Sequence, residues 1–184
     1  MSNSKKILGL VGEKFAGKDA AANYLVKTYS AEHVRFSHVF DEILNILNIP
    51  ISRANEIAVG NGIRSVFGEG VFVPAIVKRV QSSGSDLVVV NGIRLKEEYE
   101  ALKALGTKFI YITASADIRF SRYGIRKEKS DDGLLDFKNF MELEKTHTEE
   151  FISTLGSRAD FKIENNGSLE DLYKSIEVLL KVIW

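Results

Sequence analysis

The sequence contains no cysteine. That excludes disulfides and cysteine metal sites, and it fits a reducing compartment. Excess charge is also missing: 25 Lys plus Arg stand against 25 Asp plus Glu, a formal net charge of zero. A protein that holds nucleic acid by bulk electrostatics is not expected on that balance, although a local basic pocket is compatible with it. Long apolar runs are absent too. The start, MSNSKK, leads only into the short run Ile7–Val11, too short for a signal or a membrane span. The cytoplasm is the expected location, with no membrane partner. No repeat or low-complexity linker interrupts the chain. What remains is 184 residues, 45% apolar and 27% charged, the composition of a soluble globular protein. That length suits a single domain, 1–184, burying about 70% of its unfolded-chain surface.

Strand-like apolar runs alternate with helical patterns. ILGLVG (7–12) reads as a first strand, followed by a helix from about Lys18 to Tyr29. VRFS (34–37) reads as a short second strand before the helical FDEILNIL (40–47). A mostly helical excursion from about Ser52 to Val80 is expected to break near VGNG and FGEG. DLVVVNG (86–92) is a continuous β-branched run, as a parallel strand covered on both faces requires. Then follow helix KEEYEALKAL, strand KFIYITA, a helical stretch over 115–156, strand DFKIEN and helix LEDLYKSIEVLLKVI. The pattern predicts an α/β fold: a five-stranded parallel sheet with helices on both faces. Such sheets bind ligands beyond the carboxyl ends of their strands, so the informative residues should lie just after each strand.

Directly after the first strand comes the loop of GLVGEKFAGKDAAANYL (9–25). Gly12, Gly17 and Lys18 match the G-x-x-x-x-G-K spacing of a phosphate-binding loop, which usually ends in Ser or Thr. Asp19 stands in the hydroxyl position. The glycines let backbone N–H groups, from Gly12 through Glu13, Lys14, Phe15 and Ala16 to Ala20, converge on phosphate oxygens. The helix N-terminus adds partial positive charge there. Lys18 would then reach the terminal phosphates and take part in transfer. Asp19 has two compatible readings. It is a favourable anion in a helix's first turn, worth roughly 0.3–1 kcal/mol. Its carboxylate can also hold Mg²⁺, directly or through water, since hard cations take oxygen ligands.

A loop ending in G-K-D resembles that of the phage-type deoxynucleoside monophosphate kinases. RSVFGEGVFVPAIVKRV (64–80) is similar to their R-x-x-F-G-x-x-x-(W/F)-V stretch in the substrate-binding region. VVVNGIRLKEEYEAL, RFSRYGIRKEKSDD and ADFKIENNGSLEDLYKSI resemble the dephospho-coenzyme A kinase group and its archaeal relatives. Together these segments span nearly the whole chain. The resemblance implies an ATP- and Mg²⁺-dependent phosphotransferase acting on a small-molecule acceptor, foremost a nucleoside or deoxynucleoside monophosphate. Dephospho-coenzyme A kinase-like activity is the alternative within that class. A helical acceptor-binding insertion at about 38–82 and a lid at about 119–150 are also implied. The oligomeric state stays open, a dimer included.

In those families the third strand ends in Asp-x-Arg, the Asp serving the metal or acceptor and the Arg an acceptor phosphate. Here the strand ends NGIR. Arg94 suits phosphate, because guanidinium bonds bidentately and keeps its charge; a surface arginine opening a helix is the plainer reading. Asn91 is the departure. A neutral amide can hydrogen-bond a metal-bound water but cannot take a proton. Phosphoryl transfer rests mostly on positioning and charge neutralisation, so the exchange need not abolish it, and Asp19 could supply the missing charge. A nucleotide-binding regulatory module with lost turnover is the rival of another class.

Arg119, Arg122 and Arg126, spaced i, i+3, i+7, lie near one helical face. By spacing alone they fit a solvated face paired with Asp117, Glu128, Asp131 and Asp132. The resemblance assigns Arg122 and Arg126 to the charge of the transferring phosphoryl group and Arg119 to the framework. On the acceptor side it implies Ser37, His38 and Arg64, with Arg53 weaker; His38 stands where those relatives often carry Asp, and it reads equally as a hydrogen-bonded loop histidine. After the fifth strand, Asn166 and Gly167 in NNGS could pass the adenine, in a turn where Ser168 is also a natural N-cap.

Overall fold

The computed structural model describes residues 5–125, 135–142 and 145–184. In chain order its first half runs β1 (Lys6–Val11), α1 (Lys18–Tyr29), β2 (Glu32–Arg35), α2 (Phe36–Ile46), α3 (Arg53–Phe67), a 3₁₀ turn (Glu69–Phe72) and α4 (Val73–Ser82). The second half runs β3 (Leu87–Asn91), α5 (Lys96–Ala104), β4 (Lys108–Thr113), α6 (Ala116–Ile125), α7 (Phe137–Glu142), α8 (His147–Glu150), α9 (Ile152–Ser157), β5 (Phe161–Glu164) and α10 (Leu169–Ile183). The five strands form one parallel sheet in the order β2-β3-β1-β4-β5. The expected fold class is the one observed.

Strand alternation divides the core. Leu8, Leu10 and Val89 face α1 and α10, meeting Ala21, Leu25 and Ile176. Val11, Val88 and Val90 face the other way, against Ile76 of α4, Tyr99 and Leu102 of α5 and Leu155 of α9. All five residues of β3 are buried. Each such valine contributes about 1.5–3 kcal/mol on leaving water, which fixes the strand's depth and therefore where its end emerges.

Two expected boundaries move. β2 stops at Arg35, and Phe36 and Ser37 already belong to α2. The helix α3 does not break at VGNG but runs through Gly60 and Gly62 to Phe67. Packing of α3 against α2 outweighs the poor helix propensity of its two glycines. Ser52 starts this helix by accepting the Asn55 N–H at 3.1 Å. FGEG does end it, in the 3₁₀ turn. The stretch 115–156 is not one long helix: its described parts are α6, α7, α8 and α9.

Two glycines give opposite expectations for stability. A Cβ on Gly156 of α9 would sit 2.8 Å from the Tyr111 ring, whereas one on Gly62 of α3 meets nothing within 4 Å. Gly156→Ala should destabilise by about 1–3 kcal/mol through overpacking. Gly62→Ala should stabilise by up to about 1 kcal/mol. Urea unfolding of the two variants measures both, and equal midpoints would contradict this packing.

Candidate active site

β1 and β3 are neighbours whose chains leave in opposite directions, β1 toward the β2 edge and β3 toward β4. A crevice opens at that switch point, and the loop of residues 12–17 lies across it. Gly12 has φ 153°, and a Cβ there would lie 1.9 Å from the Ile112 carbonyl oxygen. Gly17 has φ 111°, and its Cβ would meet Asn165 Nδ2 at 2.3 Å. No side chain fits at either position. Between them Phe15 adopts φ 63°, a left-handed conformation costing about 1–3 kcal/mol outside glycine. Its ring is held by Tyr123 and Phe140, with centroids 5.2 and 5.8 Å away.

Lys18 opens α1 and is only 8% exposed. Its ammonium donates to the carbonyls of Gly12 and Glu13, both at 2.7 Å. The loop's far side is also tied down. Asn165, buried after β5, donates to the Ala16 carbonyl at 2.8 Å. Arg122 of α6 donates to the Asn165 carbonyl at 2.9 Å, with longer contacts to Phe15 and Ala16. The Tyr111 hydroxyl donates to the Glu13 carboxylate. Arg119 is buried and donates from Nε to the Ala114 carbonyl at 2.9 Å.

A cavity of about 220 Å³ lies in front of the loop. Lys14, Lys18 and Asp19 reach it from the loop, Asn91 and Arg94 from the end of β3, and Ser37, Arg53 and Arg64 from the acceptor side. Asn91 donates its amide to Asp19 Oδ1 at 2.7 Å, and Arg35 approaches the same oxygen at 3.6 Å. The two exchanged motif positions are thus direct partners. The other oxygen-bearing end of Asn91 accepts the Gly92 N–H at 2.7 Å, which orients the amide.

Arg94 extends from a turn set by Glu98. That buried carboxylate accepts the N–H groups of Arg94 and Leu95 at 2.8 and 3.2 Å and pairs with Arg64 at 3.1 Å. Burial pushes the Glu98 carboxyl up, against the pull of these donors. The Arg94 guanidinium pairs with Glu149 of α8, which also pairs with Lys14 at 3.3 Å. Glu149 is 7% exposed. Burial opposes its charge, but Arg94, Lys14 and Lys18 outweigh burial and hold the carboxyl below its ordinary range. Burial, with Arg94 adding to it, lowers the Lys18 ammonium to about 8. Lys14 is also lowered to about 8, again mainly by burial, with Glu149 opposing.

Not every expected residue meets the cavity. His38 lies on α2 outside the cavity lining, its ring 6.2 Å from that of His33, and burial lowers its pKa. Asn166 accepts the Ser115 N–H at 2.9 Å and Gly167 takes a 3.4 Å contact from Arg122, and neither lines the cavity. Arg126 lies outside the described residues, as does part of the expected lid. Glu149, Glu56, Arg35 and Asn165 emerge from the structure alone. Arg35 ends a strand, which could have marked it. Glu149 carries no signal in TEEF, where its neighbour is another glutamate.

For a divalent cation, no group of three or more His, Cys, Asp or Glu gathers among the described residues. Mg²⁺ that serves a nucleotide usually takes one or two protein carboxylates and draws its other ligands from phosphates and water. Asp19, in the first turn of α1, is one of three carboxylates lining the cavity, with Glu56 and Glu149. Among the described residues no helix is long and apolar enough to cross a membrane.

The chain is similar to UPF0200 proteins of archaea. It is 29% identical to one from Saccharolobus islandicus over 178 residues, covering 94% of this chain and 90% of that protein. It is 25% identical to one from Methanosarcina barkeri, covering 95% and 94%. No protein-family model matches it. Among solved structures it resembles a shikimate kinase from Bacteroides thetaiotaomicron, with a TM-score of 0.69, 13% identity and coverage of 96% and 98%. A shikimate kinase from Acinetobacter baumannii in complex with shikimate gives 0.62, 19% identity and coverage of 98% and 95%. The fold is that of a P-loop kinase.

The two lowered lysines give a pH signature. An anion bound beside them favours their charged forms, so their pKa values in the complex exceed the values near 8 of the free protein. Affinity for sulfate, which does not titrate here, should be flat below pH 8. Above it, affinity should fall by up to about tenfold per pH unit for each lysine that must regain its proton. Calorimetric titrations at pH 7, 8 and 9 test this, and an unchanged affinity at pH 9 would show that neither lysine carries the anion.

Proposed function

We propose that this protein is an ATP- and Mg²⁺-dependent kinase whose acceptor is a small phosphorylated molecule, foremost a nucleoside or deoxynucleoside monophosphate. One observation carries the reading. The phosphate loop and the acceptor-side arginines face the same cavity, so Lys14, Lys18 and Arg94 share about 220 Å³ with Ser37 and Arg53. A donor's terminal phosphate held by the loop would lie next to any acceptor in that space, and proximity is the main demand of phosphoryl transfer.

Each residue then has a task. The N–H groups of residues 13–19 bind the donor phosphates, and Lys18 exchanges its loop carbonyls for phosphate oxygens. Arg94 binds the acceptor's anionic group. Arg122 fixes the loop against Asn165 from outside the cavity lining and would meet the transferring group only by leaving those carbonyls. Asp19 would hold Mg²⁺, which neutralises phosphate charge when bound. Asn91, as a donor to Asp19, keeps that carboxylate at the end of β3, on the cavity wall. Asn91 also keeps the regulatory-module reading in play, because no carboxylate ends β3.

An ADP-release assay across nucleoside monophosphates, dephospho-coenzyme A and shikimate, with Mg²⁺ present, tests the activity. Turnover of a monophosphate that drops at least tenfold with Lys18→Ala, about 1.4 kcal/mol, is the expected result. ATP binding without turnover of any acceptor would favour the regulatory module. Turnover of dephospho-coenzyme A alone would move the assignment to that group.

The Asp19–Asn91 contact supplies a second test. Asp19→Ser removes the carboxylate and should cut kcat/KM steeply. Asn91→Asp removes a donor and sets a second carboxylate against the first, so it should also lower activity at low Mg²⁺. Combining them returns one carboxylate and one hydroxyl to the site. The double variant should therefore recover part of the loss, a coupling of about 0.5–3 kcal/mol. Strictly additive losses would mean that the two residues do not serve one ion.

A further inference from the structure

The strongest unassigned feature is a carboxylate set where the proposed reaction needs a phosphate. Glu149 comes from α8, whose first turn is closed by its own N–H on the Thr146 carbonyl at 2.8 Å. From there it reaches the cavity and pairs with Lys14 of the loop and Arg94 of the β3 end. These two cations come from different elements, and Glu149 joins them. One partner, Arg94, is the group that the proposed function assigns to the acceptor's anion, and the other extends from the donor-phosphate loop, so the inference rests on that reading. A buried carboxylate among convergent cations is well stabilised while it stays there. The same cations cannot bind it and a phosphoryl group at full strength together.

We infer that Glu149 marks the phosphoryl subsite between Lys14 and Arg94 and competes for it, so that anions bind by displacing this side chain. The residue sets a threshold for acceptors. Every anion that uses the subsite loses affinity by the fraction of protein in which Glu149 holds the place. Only ligands with a strongly paired group such as phosphate, supported by further contacts in the cavity, fill it at low concentration. Neutral ligands gain nothing from the exchange.

The test uses inorganic phosphate as the probe and needs no turnover, so it stands or falls apart from the kinase assay. Glu149→Gln keeps the side chain's size and removes its charge. Phosphate affinity by calorimetry should rise about fivefold or more. Ligand-free thermal stability should fall, because Lys14 and Arg94 lose their anion, and saturating phosphate should bring the melting temperature back toward wild type. An unchanged or weaker affinity overturns the inference and makes Glu149 a positioning residue for Arg94. If Glu149→Gln does not fold, Glu149→Asp shortens the reach at constant charge and should bind phosphate tighter than wild type. No gain there overturns the inference equally.

Discussion

Positive charge held out of water is the constraint on which this structure turns. Lys18 is buried at the start of α1, Lys14 sits beside it, and Arg94 approaches from the end of β3. Leaving such charges uncompensated is costly, so each has found an acceptor. Lys18 uses two loop carbonyls, and Lys14 and Arg94 share Glu149. The lowered pKa values of both lysines register the remaining deficit. A phosphate group would relieve it more fully, since three oxygens can meet donors that now turn back on the protein itself. Under the proposed function, affinity for phosphate would come from this unrelieved positive charge, held in place by the sheet.

That sheet alone does not aim the cations. Glu98 does much of the aiming, because one buried carboxylate fixes the backbone of Arg94 and Leu95 and pairs with Arg64 of α3. The acceptor-side helix is therefore tied to the strand end through a single side chain. Phe15 plays the matching part on the other side. Its left-handed backbone is sustained by rings from Tyr123 and Phe140, so α6 and α7 bear on the conformation of the phosphate loop. Arg53 also lies over the Phe15 ring, 5.7 Å from its centroid.

The fold and the loop were legible because their signals are local. Period, β-branched runs and a fixed Gly and Lys spacing lie within a few residues of one another, and the sheet of five parallel strands follows from them. Helix α3 shows the limit: VGNG reads as a break, yet the helix runs through it, packed against α2 in a contact that no local pattern announces. The same holds for the site. Arg94 and Asn91 could be found from a strand end. Glu149 could not, since its role depends on Lys14 and Arg94, which lie 135 and 55 positions away. Sequence patterns name the residues that a strand or loop presents; which charge settles on which is decided by the fold.

The contact between Asn91 and Asp19 changes what the missing strand-end carboxylate means. Read along the chain, Asn91 is a loss, a neutral amide where a charged group would sit. In space it lies 2.7 Å from the carboxylate that replaces the loop's hydroxyl. A carboxylate at both positions would bring two negative charges together, and one would take up a proton or turn away. A hydroxyl and an amide would leave no negative charge at all. The pair observed keeps one, and the amide donates to it. Negative charge at this point therefore rests on Asp19 alone, and Asn91 acts as the partner that holds it in place.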